Sequence, residues 1–421
     1  MRNYFPIQVS HSKCIYMKSR IALSLLVFGL QFSCEKPNED SFFENPELQT
    51  ADAKAFISNN NGFALNFFRS IAEKETKENY MVSPISLSMA LGMVHNGAAG
   101  ETKTAFDGLL GKGTPLTEIN NFNALLIKSL TTHSNETSFD LANAIWIQKE
   151  FPVEEEFVET NKTFYKSQVT NIDFTDKNAV KEVNDWVERN TRGKIKEVVK
   201  NFDSSTRLFL ANAIYFNSKW KYRFNANKTE QTPFYISETN SKEVPMMNIK
   251  AEVSSTGNDL FSSIVLPYEG ERFEMVILLP KYGITTNTVA ESLNLKDWNN
   301  LFAQNQVSEL QISIPRFKLE YENKLEDELE ELGLGIAFTD NADFSNINKT
   351  EGLQISDVFQ KTFIEVNEEG TEAAAVTGVT VVTTSASPSF YVNRPFLYVI
   401  REKFTGTICF MGRVGNPSSD E

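Results

Sequence analysis

The chain has 421 residues, 41% of them apolar and 33 of them phenylalanine, ample material for a large core. Its net charge of −14 and its lack of any basic run argue against a nucleic-acid, anionic-membrane or heparin-like surface. Length alone permits two domains, but a large mixed fold can use this length as one unit. In chain order, Lys18 and Arg20 precede a mostly apolar run, 21–32, too short to span a bilayer as a stable helix. That layout reads as a secretory signal over 1–33, with Met17 an alternative start. Residues 34–48 carry Pro37, Pro46 and several acids and read as a flexible tether, and the folded body is expected over 49–421.

The leader closes at Leu30-Gln31-Phe32-Ser33-Cys34, which resembles a bacterial lipoprotein box with a small residue before the cysteine, although Gln31 stands where an aliphatic residue is usual. That resemblance makes Cys34 the lipidated first residue and the protein an exported one, anchored in the envelope on its periplasmic or cell-surface side; ordinary secretion, with Cys34 incidental, is the alternative. Of three cysteines, Cys14 and Cys34 lie in the leader, so Cys409 has no internal disulfide partner and reads as a small buried hydrophobe.

Beyond the tether, a helical pattern opens near Ala51 and runs through Phe56, Phe63, Phe67 and Ile71. Ser83-Pro84 starts a second helix with proline in its first turn. Further helices are predicted near 101–110, 117–131, 154–164 and 177–192, the last with Val183, Trp186 and Val187 on one face. Strands are predicted at 139–148, 208–216, 262–267 and 273–279, the last two joined by the turn Tyr268-Glu269-Gly270-Glu271. A strand over 310–319, a helix around 325–332 and C-terminal strands at 396–400 and 406–414 complete the pattern. Helices crowd the first half and strands the second, an α+β arrangement.

Enzymatic signatures are missing from this sequence. His11 lies in the leader, and His95 and His133 have no spaced partner suggesting a metal site. There is no Gly-x-Ser-x-Gly elbow. The glycines of 108–114 have phosphate-loop spacing but lack the lysine before Thr114 and read as a turn. No cofactor and no catalysis are expected.

One stretch stands apart. Glu368, Glu369 and Gly370 close an alternating, strand-like segment, and 373–393 then carries no charge in a chain that is 23% charged. Alanines (Ala373, Ala374, Ala375) give way to β-formers (Val376, Thr377, Val379, Thr380, Val381, Val382), so the segment is able to become a buried strand. The eight residues Glu368, Glu369, Gly370, Thr371, Glu372, Ala373, Ala374 and Ala375 resemble the hinge of the reactive-centre loop of inhibitory serpins, and Asn393-Arg394-Pro395-Phe396 resembles the strand by which that family's chain re-enters its core. Asn79 to Ser86, Leu210 to Phe216 with Lys219-Trp220, Val244 to Met247, Ile314 to Phe317 and Ala342 to Ser345 resemble further serpin landmarks in family order, so the likeness runs from Ala51 to Pro417.

The resemblance implies a serpin fold: a mixed main β-sheet, two further sheets, eight or nine helices and an exposed reactive-centre loop over about 368–392. It implies a suicide inhibitor of a serine protease, acting as a monomer and forming a covalent acyl complex after attack at the Thr384–Ser385 bond. Gly370 to Thr384 would then insert into the main sheet, a reach of roughly 45 Å at about 3.3 Å per residue. Thr384 suits shallow apolar pockets, elastase-like or subtilisin-like; papain-like cysteine proteases are an alternative target, and a non-inhibitory serpin acting as a binding or chaperone module is the rival from another class. Ser83, Ser86 and Asn212 would form the polar cluster where two strands of the sheet part, Trp220 would be the tryptophan below the insertion point, and Arg316 would pair with Glu368 at the top of the sheet. Where the family usually has histidine, this chain has Gln360, which donates and accepts but does not titrate near neutrality.

Overall fold

The computed structural model describes residues 45–132, 137–304, 306–356, 358–371 and 388–417, all of which fall in one compact unit. Cys34, Glu372, Ala373, Ala374, Ala375, Thr384, Ser385 and His133 lie outside the described residues. The body begins earlier than the tether boundary at 48 implied: Asn45 caps a 3-10 turn over Pro46–Gln49, and Leu48 is buried. An apolar side chain in the core fixes that turn, and the acids and prolines around it hid the signal.

Nine α-helical segments are present among the described residues: α1 (Ala51–Lys74), α2 (Pro84–His95), α3 (Gly100–Phe106), α4 (Leu116–Leu130), α5 (Glu155–Tyr165), α6 (Asn178–Asn190), α7 (Thr286–Ser292), α8 (Leu295–Ala303) and α9 (Glu326–Leu329). Local chemistry sets their starts. The Thr50 hydroxyl accepts from Ala53 N at 3.3 Å before α1, and the Ser83 hydroxyl accepts from Ser86 N at 3.4 Å before Pro84 opens α2. The glycine-rich 108–114 stretch is a π-turn over Asp107–Gly111 closed by Lys112 and Gly113 at positive φ, a helix ending rather than an anion loop.

The strands are β1 (Asn79–Val82), β2 (Thr137–Gln148), β3 (Gln168–Ile172), β4 (Leu208–Lys219), β5 (Glu230–Tyr235), β6 (Ser241–Gly257), β7 (Phe261–Pro267), β8 (Phe273–Pro280), β9 (Gln306–Pro315), β10 (Phe317–Lys324), β11 (Phe359–Val366), β12 (Gly370–Thr371), β13 (Ser389–Tyr391), β14 (Phe396–Glu402) and β15 (Ile408–Val414). The six-stranded main sheet runs β10-β11-β12-β4-β2-β3 and is mixed, with β2 and β3 parallel and the other pairs antiparallel. The remaining strands form a network in order β1-β15-β14-β8-β7-β6-β9-β13, with β5 on β6. Long β6 changes its second neighbour along its length: 254–257 pair with β7 and 241–246 with β5, while 246–255 pair with β9.

The predicted strand over 310–319 is in fact two. β9 ends at Pro315 and β10 begins at Phe317, and the two lie in different sheets. Inward parity changes at the junction, from Leu310, Ile312 and Ile314 to Phe317, Leu319 and Tyr321. Inward parity changes along a chain only at a bulge or a break, and here the two segments lie in different sheets, so Arg316 marks a crossing between them.

Both faces of the main sheet are covered. On one, Phe139, Ile145 and Ile147 of β2 and Ile214 and Phe216 of β4 join the central core, which includes α1, α2 and β15. On the other, Ala144 and Trp146 of β2 meet Val183, Trp186 and Val187 of α6, with the Trp146 and Trp186 rings perpendicular and 5.3 Å apart. The Tyr268–Glu271 turn, closed by Glu271 N on Tyr268 O at 3.0 Å with Gly270 at φ +74° in its second central position, joins β7 to β8.

Candidate functional site

The described hinge residues, Glu368 to Thr371, close one end of the main sheet. β12 pairs with β11 through Val366 and Thr371, and with β4 through Gly370–Lys219 and Thr371–Ser218, antiparallel on both sides. Among the described residues β11 and β4 share no ladder of their own; β12 alone joins them. Gly370 is required by close approach: a Cβ there would stand 2.1 Å from Ser218 O and 2.6 Å from Lys219 Cα. The two carbonyls before it are also held, Glu369 O by Trp220 N at 2.8 Å and Glu368 O by Phe224 N at 2.9 Å.

Trp220 lies just beyond β4, fully buried. Its Nε1 donates to Asn367 O at 2.9 Å, and its ring stacks on Tyr268 with centroids 4.5 Å apart. The Tyr268 hydroxyl in turn lies 2.7 Å from Thr371 Oγ1. Burial pushes the Tyr268 phenol well above its ordinary range, so it stays neutral and hydrogen-bonding at any physiological pH. Thr371 also lines a cavity of about 10 Å³ with Phe216, Phe363 and Phe410, which fixes its side chain on the central-core face.

Glu368 is buried beside this hinge. Arg316 Nη2 donates to its Oε1 at 2.5 Å and Thr229 Oγ1 at 2.6 Å. Burial raises its carboxyl, but the bonds to Arg316 and Thr229 outweigh it, and the net displacement is downward. A carboxyl lowered on folding contributes stability that is complete above its unfolded value and is lost as pH falls through the folded one. Thermal stability is therefore expected to drop in acid below about pH 4.3, and Glu368→Gln should flatten that part of the profile, as melting curves between pH 3 and 6 will check.

Lower in the sheet, a second polar constellation spans the same two strands. Gln360 on β11 clamps Ser83: its Oε1 accepts from Ser83 N at 2.8 Å, and its Nε2 donates to Ser83 O at 2.8 Å. The Ser83 hydroxyl donates to Cys409 O at 2.8 Å. The Ser86 hydroxyl bonds Asn212 Oδ1, and Asn212 Nδ2 donates to Asn143 Oδ1 at 2.6 Å. The amino end of α2 is thus tied to β11 through Gln360 and to β4 and β2 through Asn212 and Asn143, beneath the seam those strands flank. A side-chain amide meeting one residue's N–H and C=O copies a ladder bond pair, which explains how glutamine serves here.

Removing that amide leaves Ser83 N–H buried and unpaired, at a cost of about 1–3 kcal/mol. Gln360→Ala is expected to lower the melting temperature by a few degrees. Gln360→His, buried at the same place and so held below its unfolded value of about 6.5, should lose stability more steeply than the parent as pH falls below about 6.5, because a charged imidazole cannot accept from Ser83 N. Circular-dichroism melts across that range decide both.

The structure brings together Ser83, Ser86, Asn212 and Gln360 in one cluster, and Glu368, Glu369, Gly370, Thr371, Trp220 and Arg316 in another at the sheet's upper end. Sequence reasoning missed Tyr268, Thr229 and Asn143. Tyr268 was visible only as a turn residue, and nothing local marks it as the partner of a threonine 103 positions away. His95 is buried, stacks on Phe106, and lies 3.0 Å from Asp107; burial lowers it to about 4. Among the described residues no three His, Cys, Asp or Glu side chains converge to hold a metal ion, and no helix is long and apolar enough to cross a membrane.

The family model described as Serpin (serine protease inhibitor) matches residues 58–417. The chain is 33% identical to Serpin A3-6 of Bos taurus over 94% of this chain and 97% of that protein. It is 33% identical to a serpin-like protein of Thermococcus kodakarensis over 88% of each. The solved structure of human thyroxine-binding globulin complexed with thyroxine superposes with a TM-score of 0.81 at 29% identity, covering 88% of this chain and 100% of that one.

Proposed function

The chain belongs to the serpin family, and on that premise we propose that it is a serine protease inhibitor acting as a suicide substrate. The observation that carries this reading is the seat of Gly370–Thr371, which already pair as a strand between β11 and β4. Continuing that antiparallel register places Ala373, Ala375, Thr377 and Val379 on the face Thr371 occupies, toward the core. These side chains are small or β-branched and uncharged, so burial orphans no charge. Proline is absent until Pro388, so each residue retains an N–H for the ladder.

In this reading the protease serine attacks the Thr384 carbonyl. The Thr384–Ser385 amide breaks, an ester to the enzyme forms, and the serine's proton passes through the protease to the departing Ser385 nitrogen. Water would complete hydrolysis unless residues 372–384 enter the sheet first and carry the acyl-enzyme away from its working geometry. Release of stored strain by loop insertion is a standard serpin example. Thr384, with Val381 and Val382 upstream, fits elastase-like or subtilisin-like pockets and disfavours trypsin-like ones; a papain-like enzyme would form a thioester instead.

The leader over 1–33 supports export, and its resemblance to a lipoprotein box supports an anchor on Cys34, with the inhibitor a monomer at the bacterial envelope. The second reading is a non-inhibitory binding module, favoured by the likeness to thyroxine-binding globulin. Mixing the purified body with pancreatic elastase, subtilisin and trypsin separates the two. Complexes stable in SDS with elastase and subtilisin, and a new amino terminus at Ser385 by mass spectrometry, are expected. Clean cleavage without a trapped enzyme establishes the second reading.

A further inference from the structure

Thr371 turns its side chain to the central core, so strand geometry turns the next residue, as it enters, to the α6 face of the main sheet. That residue is Glu372, the one charge among residues 371–384. Continuing the β12 register by a single step sets it opposite Asn217 of β4 and Glu365 of β11. Like charges directly opposite one another destabilise a strand pair, so loop entry brings a charge conflict with it. Glu365 itself stands in register with Lys318 of β10.

The α6 face supplies a second cation at this level. The segment that follows α6 is fixed against the sheet: Thr191 Oγ1 accepts from Ile195 N at 3.1 Å, Asn184 Oδ1 accepts from Val198 N at 2.8 Å, and Ile195 is buried in the cluster that contains Trp146 and Ala213. From this segment Arg192 reaches β2 and β4. Its Nε donates to Asp140 Oδ2 at 2.9 Å, and its guanidinium lies 4.7 Å from the centre of the Tyr215 ring. Lys194 reaches β11 instead: its Nζ lies 4.9 Å from the centre of the Phe363 ring, and Lys318 Nζ lies 5.7 Å from the same centre. Tyr215 and Phe363 are the next residues on this face after Asn217 and Glu365, so Arg192 and Lys194 span the seam that β12 alone joins. Two further lysines share the face. Lys361 is held by Glu320 at 2.8 Å, and Lys219 stands opposite Gly370.

We propose that Lys194, Lys318 and Phe363 form a receiving site for the Glu372 carboxylate, with Lys194 the positioning residue that neutralises Glu372 beside Glu365 as the loop enters. The proposal rests on the inhibitory reading above. A ring face attracts a cation and leaves its charge intact, so Phe363 keeps Lys194 in place while leaving it able to meet a carboxylate. The entering pair of acids then faces a pair of ammonium groups, one from β10 and one from the segment after α6. Chain continuity selects the occupant, because Glu372 is bonded to Thr371, whose seat is fixed on both sides.

The test is a cycle of Lys194→Gln, Glu372→Gln and the double variant, each mixed with subtilisin, with the ratio of clipped chain to SDS-stable complex read from gels. Lys194→Gln is expected to raise that ratio about threefold, the scale of one partly covered ion pair, and Lys194→Arg should rescue it. In the Glu372→Gln background the same Lys194→Gln change should have no effect. At about 1 M salt, where charges are screened beyond roughly 3 Å, Lys194→Gln and the parent should converge. An equal rise in both backgrounds, or no rise, overturns the pairing and leaves the inhibitor standing. A rise from Lys219→Gln in place of Lys194→Gln moves the carboxylate to Lys219 and overturns it as well. A parent protein that is clipped without trapping enzyme overturns the inhibitory reading and this site with it.

Discussion

Thr371→Arg is expected to turn the inhibitor into a substrate: incubation with subtilisin should yield clipped chain and essentially no SDS-stable complex. Thr371 is 2% exposed, sits 2.7 Å from the Tyr268 hydroxyl, and adjoins a cavity of only about 10 Å³. An arginine there has neither room nor a counter-charge, because Phe216, Phe363 and Phe410 line the site. Burying it unpaired costs several kcal/mol. The variant's arginine is therefore expected to stay out of its seat in the intact protein, so that burying it becomes part of the insertion step. That step competes with hydrolysis of the acyl bond and slows about tenfold for each 1.36 kcal/mol added to its barrier. Two or three such increments are enough to let hydrolysis win. Thr371→Ser, which retains the hydroxyl, should trap as the parent does. Wild-type complex yield from Thr371→Arg would remove the hinge from the mechanism.

That variant is chosen on structure, yet much of its logic is legible in the chain. The charge-free run from Ala373 onward declares a segment suited to burial, and Ser83-Pro84 declares a helix start, because both signals are local. Partners are not. The approach of Arg316 to Glu368 and of Gln360 to Ser83 joins residues 52 and 277 positions apart, and sequence reading reached both through family resemblance rather than spacing. An irregularity at Arg316 is readable: Ile312 and Ile314 face inward on even positions and Phe317 and Leu319 on odd ones, a parity change that requires a bulge or a break. β6 was harder. Its burial alternates poorly because its neighbour changes from β5 to β7 along its length, so no single face stays apolar throughout. The hydroxyl of Tyr268 and the Thr229 bond to Glu368 depend on folding distant loops together, and no pattern within either loop carries them.

Clipping the bait in the absence of a trapped enzyme is expected to raise the melting temperature on the order of 15 °C. The register fixes what insertion adds. Thr371 faces Ser218 on β4 and Val366 on β11, so with antiparallel pairing Thr377 arrives opposite both Asn212 and Gln360. The inserted strand thus passes directly over the polar cluster, and a threonine hydroxyl reaches the side chains that hold the seam. Beside β4 the new ladder extends as far as Leu208, and beside β11 as far as Phe359. About ten to fifteen backbone hydrogen bonds at roughly 1 kcal/mol each are gained. Unfolding entropy of about 2.1 cal/mol/K per residue makes 1 kcal/mol worth slightly over 1 °C in a domain of this size. The gain needs no protease and no covalent bond, only a severed loop free to move. Limited proteolysis followed by calorimetry of clipped and intact material measures it directly. Equal melting temperatures would mean that the intact fold stores no usable strain, and then Gly370–Thr371 would be a fixed edge of the sheet rather than the start of an entering strand.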